Sequence, residues 1–156
     1  MQPLDAKDRQ LLALLQQDAA IPAEALGEQV GLSVTSVQRR IKRLVSTRVI
    51  ARHASVLSPE KLGYPVRCIV SVELEVESPE VLDQFRARID GEPRIQQSYY
   101  VTGASDFVLI VLARDMDDYE ALTQRLFFGN RHVRHFTTSV VMKACKVGLD
   151  VPTAQT

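Results

Sequence analysis

Residues 24–44 read EALGEQVGLSVTSVQRRIKRL, and two helices joined by a very short turn account for that order. Val34, Val37, Ile41 and Leu44 recur at i, i+3, i+7 and i+10, the spacing of a helix docked by one face. Ser33 stands just ahead of that run as its N-cap. Upstream, a helix is expected from about Ala23 to Val30, with Pro22 near its first turn and Gly31 as the left-handed residue that ends it. The turn is then only Gly31-Leu32-Ser33. Gly27 is small where the two helices must approach closely. Short helices around a three-residue, glycine-containing turn predict a helix-turn-helix.

The second helix of that pair carries the functional signal. From Ser33 to His53 the chain holds Arg39, Arg40, Lys42, Arg43, Arg48 and Arg52 and no acidic residue, although the formal net charge of the whole protein is zero. Opposite the apolar stripe lie Thr35, Ser36, Gln38, Arg39, Lys42 and Arg43. Short polar side chains first and cations behind suit a helix lying in a DNA major groove. A merely solvated helix would gain from acidic partners at i,i+4, and this stretch has none. Ser33, Thr35, Ser36, Gln38 and Arg39 are the candidates for base edges or the nearest phosphates. Arg40, Lys42 and Arg43 are the candidates for the DNA backbone.

On the N-terminal side, Leu11, Leu12, Leu14 and Leu15 predict a further helix, capped by Asp5 with Asp8 in its first turn. On the C-terminal side, Val49-Ile50 and Val56-Leu57 alternate with polar residues as a wing or linker strand would. The first domain is therefore placed at 1–54, winged-helix-like, and a linker strand or hinge at 55–65.

A second domain follows at 66–150. Leu62-Gly63-Tyr64-Pro65 is a break, since proline disfavours helix in the residue before it. Val66, Cys68, Val70, Val72, Leu74 and Val76 then alternate with Arg67, Ser71, Glu73 and Glu75, a period-two strand. Ser78-Pro79-Glu80 opens a helix through Val81, Leu82, Phe85 and Ile89. Strands are expected over 95–102 and 107–112 around a tight Gly103-Ala104-Ser105 turn, with one ring of the Tyr99-Tyr100 pair on each strand face. A helix from Asp115 to near Gly129 and a last strand over 133–147 complete β-α-β-β-α-β, the ferredoxin-like order. The fold class is α+β. Both helices would cover one sheet face, and the other, bearing Ile69, is too apolar to stay wet. Burial against a second copy is the expected outcome.

Charge divides the same way. Residues 1–61 carry nine Lys and Arg against six Asp and Glu, and residues 62–156 carry ten against thirteen. Only the first half suits a polyanion. No apolar run reaches the length of a membrane span, residues 1–10 lack a signal peptide's apolar core, and two cysteines make no disulfide framework. A reducing cytoplasm is the default expectation. Cys68 and Cys145 fall on strands that would be antiparallel neighbours, which admits a redox pair, although two small buried core residues is the favoured reading. His132 and His135 have no third ligand nearby for zinc. There is no Gly-x-Ser-x-Gly elbow, P-loop or dinucleotide fingerprint, so no catalytic group, metal or cofactor is expected.

LDAKDRQLLALLQQDAAIP, EALGEQVGLSVTSVQRRIKRL, VIARHASVLSP and a β-α-β-β-α-β module carrying VTGASDF, taken in order, resemble the Lrp/AsnC transcriptional regulators over residues 3–148. The resemblance implies double-stranded DNA as a partner and an effector domain that senses amino acids. It also implies homodimers built through the effector sheets, often assembled into octamers. It places the effector between protomers, beside Gly103, Ala104, Ser105 and Asp106, with Tyr100 and Thr102 just before the turn and Thr138 and Ser139 on the last strand. Glycine there lets a ligand approach backbone N–H groups, and Asp106 suits an α-ammonium. Two departures stand out. Many relatives have an acidic and then an aromatic residue where this chain has Ala104-Ser105, which implies a different side-chain preference. Many also have glycine where Arg48 stands.

Two other readings come from different classes. Tetrapyrrole decarboxylases resemble the same architecture, but they need cations and histidines converging on a large carboxylated macrocycle. Here the cations concentrate on the DNA-reading helix. A metabolite sensor whose helix-turn-helix serves only assembly is the other.

Overall fold

Asp5 opens the first helix, α1 (Ala6–Gln17), through a reciprocal cap. Its side chain accepts the Asp8 N–H at 2.8 Å, and the Asp8 carboxylate accepts the Asp5 N–H at 3.1 Å. The computed structural model describes residues 3–154. Helix α2 (Ala23–Val30) ends at Gly31, whose φ of 67° is the left-handed value the sequence required. Ser33 accepts the Ser36 N–H at 3.3 Å and starts α3 (Val34–Ser46). Leu11, Leu15, Leu26, Val30 and Val37 form the core of these three helices. The tight approach at Gly27 is to the turn rather than to the neighbouring helix. A Cβ there would stand 2.5 Å from the Leu32 carbonyl oxygen, and the Leu32 N–H donates to the Gly27 carbonyl at 2.9 Å.

Helix α3 closes on Arg48, which holds φ at 57° and is the one non-glycine with positive φ among the described residues. The Val49 N–H reaches back to the Leu44 carbonyl at 2.9 Å and the Arg48 N–H to that of Val45 at 3.0 Å, a Schellman closure usually given to glycine. The wing or linker strand does not form. Residues 51–58 run exposed with no ladder partner, and one 3₁₀ turn at Glu60–Leu62 follows. Alternation makes a strand only where an edge is offered to pair with, and Val56 is left almost fully exposed.

The Cα framework separates into two units, one holding the chain up to Val56 together with the residues from Lys146 on, the other Leu57–Cys145. Residues 146–150, expected in the second domain, fall with the helices in this division. Just beyond them, Gln16 holds the chain with its amide, donating to the Val151 carbonyl at 3.2 Å and accepting its N–H at 3.0 Å.

In the second unit, β1 (Val66–Leu74), α4 (Pro79–Asp90), β2 (Ile95–Tyr100), β3 (Phe107–Ala113), α5 (Met116–Thr123) and β4 (Val133–Val140) appear in the expected order. A π turn, Gln124–Phe128, extends α5 to Gly129. The sheet is antiparallel with order β2-β3-β1-β4. The last strand stops at Val140, not at residue 147. Cys68, Val70, Val72 and Leu74 of β1 and Phe107, Leu109 and Val111 of β3 face Phe85, Ile89, Leu122, Leu126 and Phe127 of the helices. The opposite face carries Ile69 and Ser71 of β1, Val108 and Ile110 of β3, and Tyr99 of β2, by alternation from these registers.

A charge network joins β2 to α5. Arg94 reaches Glu92 at 3.0 Å and Asp118 at 2.8 Å, and Arg114 reaches the same Asp118 oxygen at 2.8 Å. Asp118 also caps the strand end by accepting the Arg114 N–H at 3.1 Å. Hydrogen bonds from Arg114 and Arg94 hold the Asp118 carboxyl far below the usual carboxylate range. Among the described residues no helix is long and apolar enough to cross a membrane.

Candidate functional site

The cations of α3 point two ways. Gln38, Arg39 and Lys42 are exposed along one face, with Ser33 and Thr35 exposed at its N-terminal end. Ser36 is half-buried and shares a 3.0 Å hydrogen bond with the Ser33 hydroxyl. Arg40 and Arg43 turn inward onto α1. Arg40 lies 2.7 Å from Asp5 and 2.8 Å from Asp8, and Arg43 lies 2.5 Å from the other Asp8 oxygen. Both arginines expected at the DNA backbone are thus ion-paired within the fold, at 22% and 29% exposure. Burial pushes the Asp8 carboxyl up, but hydrogen bonds from Arg43 and Arg40 outweigh it and hold it below its ordinary value. The Asp5 carboxyl is held down by the Asp8 N–H and by Arg40. Residues 33–53 contain no acid, so these partners, 35 and 32 positions upstream of Arg40, lay outside the stretch that carried the reading.

The effector candidates gather around the β2–β3 turn only in part. Gly103 has φ of 127°, and Thr102, Gly103 and Ala104 are exposed beside half-buried Ser105 and Asp106. The Asp106 carboxylate already has a structural partner, accepting the Leu74 N–H at 2.6 Å. Its own N–H donates to Val72 and its carbonyl accepts from Val101, both at 2.9 Å. This aspartate thus secures the end of β1, next to the register shift at Glu73/Leu74. Tyr100 lies on the helix-covered side, 5.3 Å from the Phe107 ring, and donates to Glu77 at 2.8 Å with the Arg86 guanidinium over its own ring. Tyr99 lies on the open face. Both rings are about half exposed, so neither fills the core.

Thr138 and Ser139 do not share a face. Thr138 is opposite Val70 on the helix-covered side and is hydrogen-bonded to the Tyr119 hydroxyl, whereas Ser139 is opposite Ile69 on the open face. They also stand on β4, with β1 and β3 between them and the β2 edge. The Gly103–Asp106 turn meets β1 farther along, at Val72 and Leu74, where β4 supplies Phe136 and Val133 as the paired residues. Cys68 is buried, which pushes its thiol up, but Cys145 lies beyond β4 and is exposed, so the expectation of two buried core cysteines fails for it. His132 is half-buried at the junction before β4, its N–H donating to Asn130 at 3.0 Å, while His135 pairs across from Glu73. No group of three or more metal-capable side chains converges among the described residues.

Comparison with known proteins matches this architecture domain by domain. The AsnC-type helix-turn-helix domain matches residues 4–45, and the Lrp/AsnC ligand binding domain matches residues 67–149. An HTH-type transcriptional regulator of Sinorhizobium fredii is 43% identical over 96% of this chain and 88% of its own length. The DNA-binding transcriptional activator DecR of Escherichia coli is 30% identical over 96% of this chain and 98% of its own. The crystal structure of an AsnC family regulator from Agrobacterium tumefaciens superposes with a TM-score of 0.90 at 29% identity, covering 96% of this chain and 97% of that one. A Neisseria meningitidis regulator solved with L-methionine shares the fold, with a TM-score of 0.91 at 24% identity and coverage of 96% and 97%. With both domains matched in order, the chain belongs to the Lrp/AsnC family of DNA-binding transcriptional regulators that respond to small molecules.

Proposed function

We propose that this protein reads DNA through the exposed face of α3 and is controlled by an amino acid held between protomers beside the Gly103–Asp106 turn. The observation that carries the first half is the row Gln38, Arg39 and Lys42, exposed behind the N-terminal Ser33 and Thr35. Gln38 and Arg39 meet base edges or the nearest phosphates, and Lys42 meets the backbone. Arg40 and Arg43 serve the interface by fixing the helix. The amino-acid effector rests on the turn's exposed backbone and on the methionine-bound neighbour of the same fold.

The open sheet face, with Tyr99, Ile69 and Ile110, supports a homodimer, and a pair of such faces can bring Ser139 of one copy toward the turn of another. Thr138 takes the role of orienting Tyr119. Regulation by binding, without catalysis and within the cytoplasm, is the reading the family and the residue set favour.

Two arms test it. Arg39→Ala and Lys42→Ala are expected to weaken duplex binding, the second almost equally for every sequence. A thermal-shift screen of the twenty amino acids, repeated with light scattering, is expected to find a ligand that raises the melting point and changes particle size. Unchanged duplex binding in both variants rejects the placement of α3.

A further inference from the structure

We infer that Asp8 is a positioning residue of the DNA interface, holding Arg40 and Arg43 against α1 so that Arg39 and Lys42 alone supply the cationic phosphate contacts of α3. This rests on the reading that α3 enters the duplex. A capping box asks of its third residue only a contact to the cap's N–H, which Asp8 makes at 3.1 Å. Asp8 does more. Its side chain is wholly buried, one oxygen holds Arg40 and the other holds Arg43, and Asp5 adds a second carboxylate oxygen to Arg40. The two arginines are three positions apart on α3, so the shared carboxylate grips one flank of the helix along almost a full turn. Arg39 and Lys42, the residues immediately before each of them, are directed to the exposed face by the same grip.

Burial decides the outcome. Freeing either arginine for a phosphate would leave a buried carboxylate short of a partner, and that deficit opposes the new pairing. Four cations close together in sequence therefore act as two for DNA and two for the fold. The cap of α1, at the start of the domain, sets the placement of the helix that reads the duplex.

The salt dependence of binding separates the two pairs, because removing one cation that neutralises a phosphate flattens the slope of log affinity against log salt by about 0.9. The experiment uses the full chain and a labelled mixed-sequence duplex, followed by fluorescence anisotropy over a salt series, with helix content checked by circular dichroism. Arg39→Gln and Lys42→Gln are each expected to flatten the slope by about that amount. Arg43→Gln and the charge-compensated pair Asp5→Asn/Arg40→Gln are expected to leave it unchanged. Asp8→Asn, which keeps the shape and removes the charge, is expected to steepen it as the arginines are released. If Asp8→Asn does not fold, the arginine variants still decide the matter. A slope flattened as much by Arg43→Gln or Asp5→Asn/Arg40→Gln as by Arg39→Gln overturns the inference while α3 remains the reading helix. A slope unmoved by every variant overturns the placement of α3 itself.

Discussion

Asp106 is asked to do two jobs with one carboxylate, and its replacements separate them. One oxygen accepts the Leu74 N–H at the end of β1, where the ladder with β4 loses register. Asp106→Ala removes that acceptor from a half-buried site and is expected to destabilise the second unit by about 1–3 kcal/mol, so loss of effector response in that variant says little about binding. Asp106→Asn is the sharper change. Its amide oxygen can still accept from Leu74, but the charge that would meet an α-ammonium is gone. Near-normal melting with no amino-acid titration is the expected result, and a normal titration in calorimetry rejects Asp106 as the ammonium partner. The sequence made this turn legible through Gly103, but not the bond to Leu74, because a partner 32 residues away leaves no local pattern. Thr138 and Ser139 are a different case. Adjacent residues on a strand face opposite sides, so their separation follows from the period of two alone.

Among the elements, the turn between α2 and α3 is the least tolerant. A Cβ at Gly27 would lie 2.5 Å from the Leu32 carbonyl oxygen, a backbone atom that cannot swing aside as a flexible side chain would. Gly27→Ala is therefore expected to destabilise the helical unit by about 2–3 kcal/mol, despite alanine's better helix propensity. A melting temperature equal to or above that of the parent chain would show that the turn yields more readily than its geometry implies. The elements most legible from sequence were those whose signals are local: the Ser33 and Ser78 caps, the left-handed Gly31 and the alternation in β1. Those misread depended on partners. Residues 49–57 alternate but meet no edge, and the expected last strand was carried seven residues too far by the scattered apolar residues after Val140. The inward turn of Arg40 and Arg43 was hidden for the same reason, since their carboxylates lie on another helix.

At the scale of the whole molecule, each unit is braced by acids held ionised against cations, and this fixes the direction of its response to pH. In the helical unit they are Asp5 and Asp8, facing Arg40 and Arg43; in the sheet unit they are Glu92 and Asp118, facing Arg94, Arg114 and Arg125. Burial raises the Glu92 carboxyl, but Arg94 and Arg125 more than offset it, and all four groups lie below their ordinary values in the folded chain. A carboxyl depressed on folding stabilises the native state fully above its unfolded pKa, and that stabilisation is lost as pH falls through the folded value. The melting temperature is therefore expected to hold steady from neutral pH down to the ordinary carboxylate range near 3.8–4.5, then to fall as protons compete with the arginines. Asp118 is depressed most strongly and should be the last of the four to let go. Calorimetric melts across that range provide the check, with Asp118→Asn as the companion variant. That variant should melt lower at neutral pH and lose less on acidification than the parent chain. Parent melts that stay level to pH well below the carboxylate range would mean these ion pairs contribute nothing to holding either unit together.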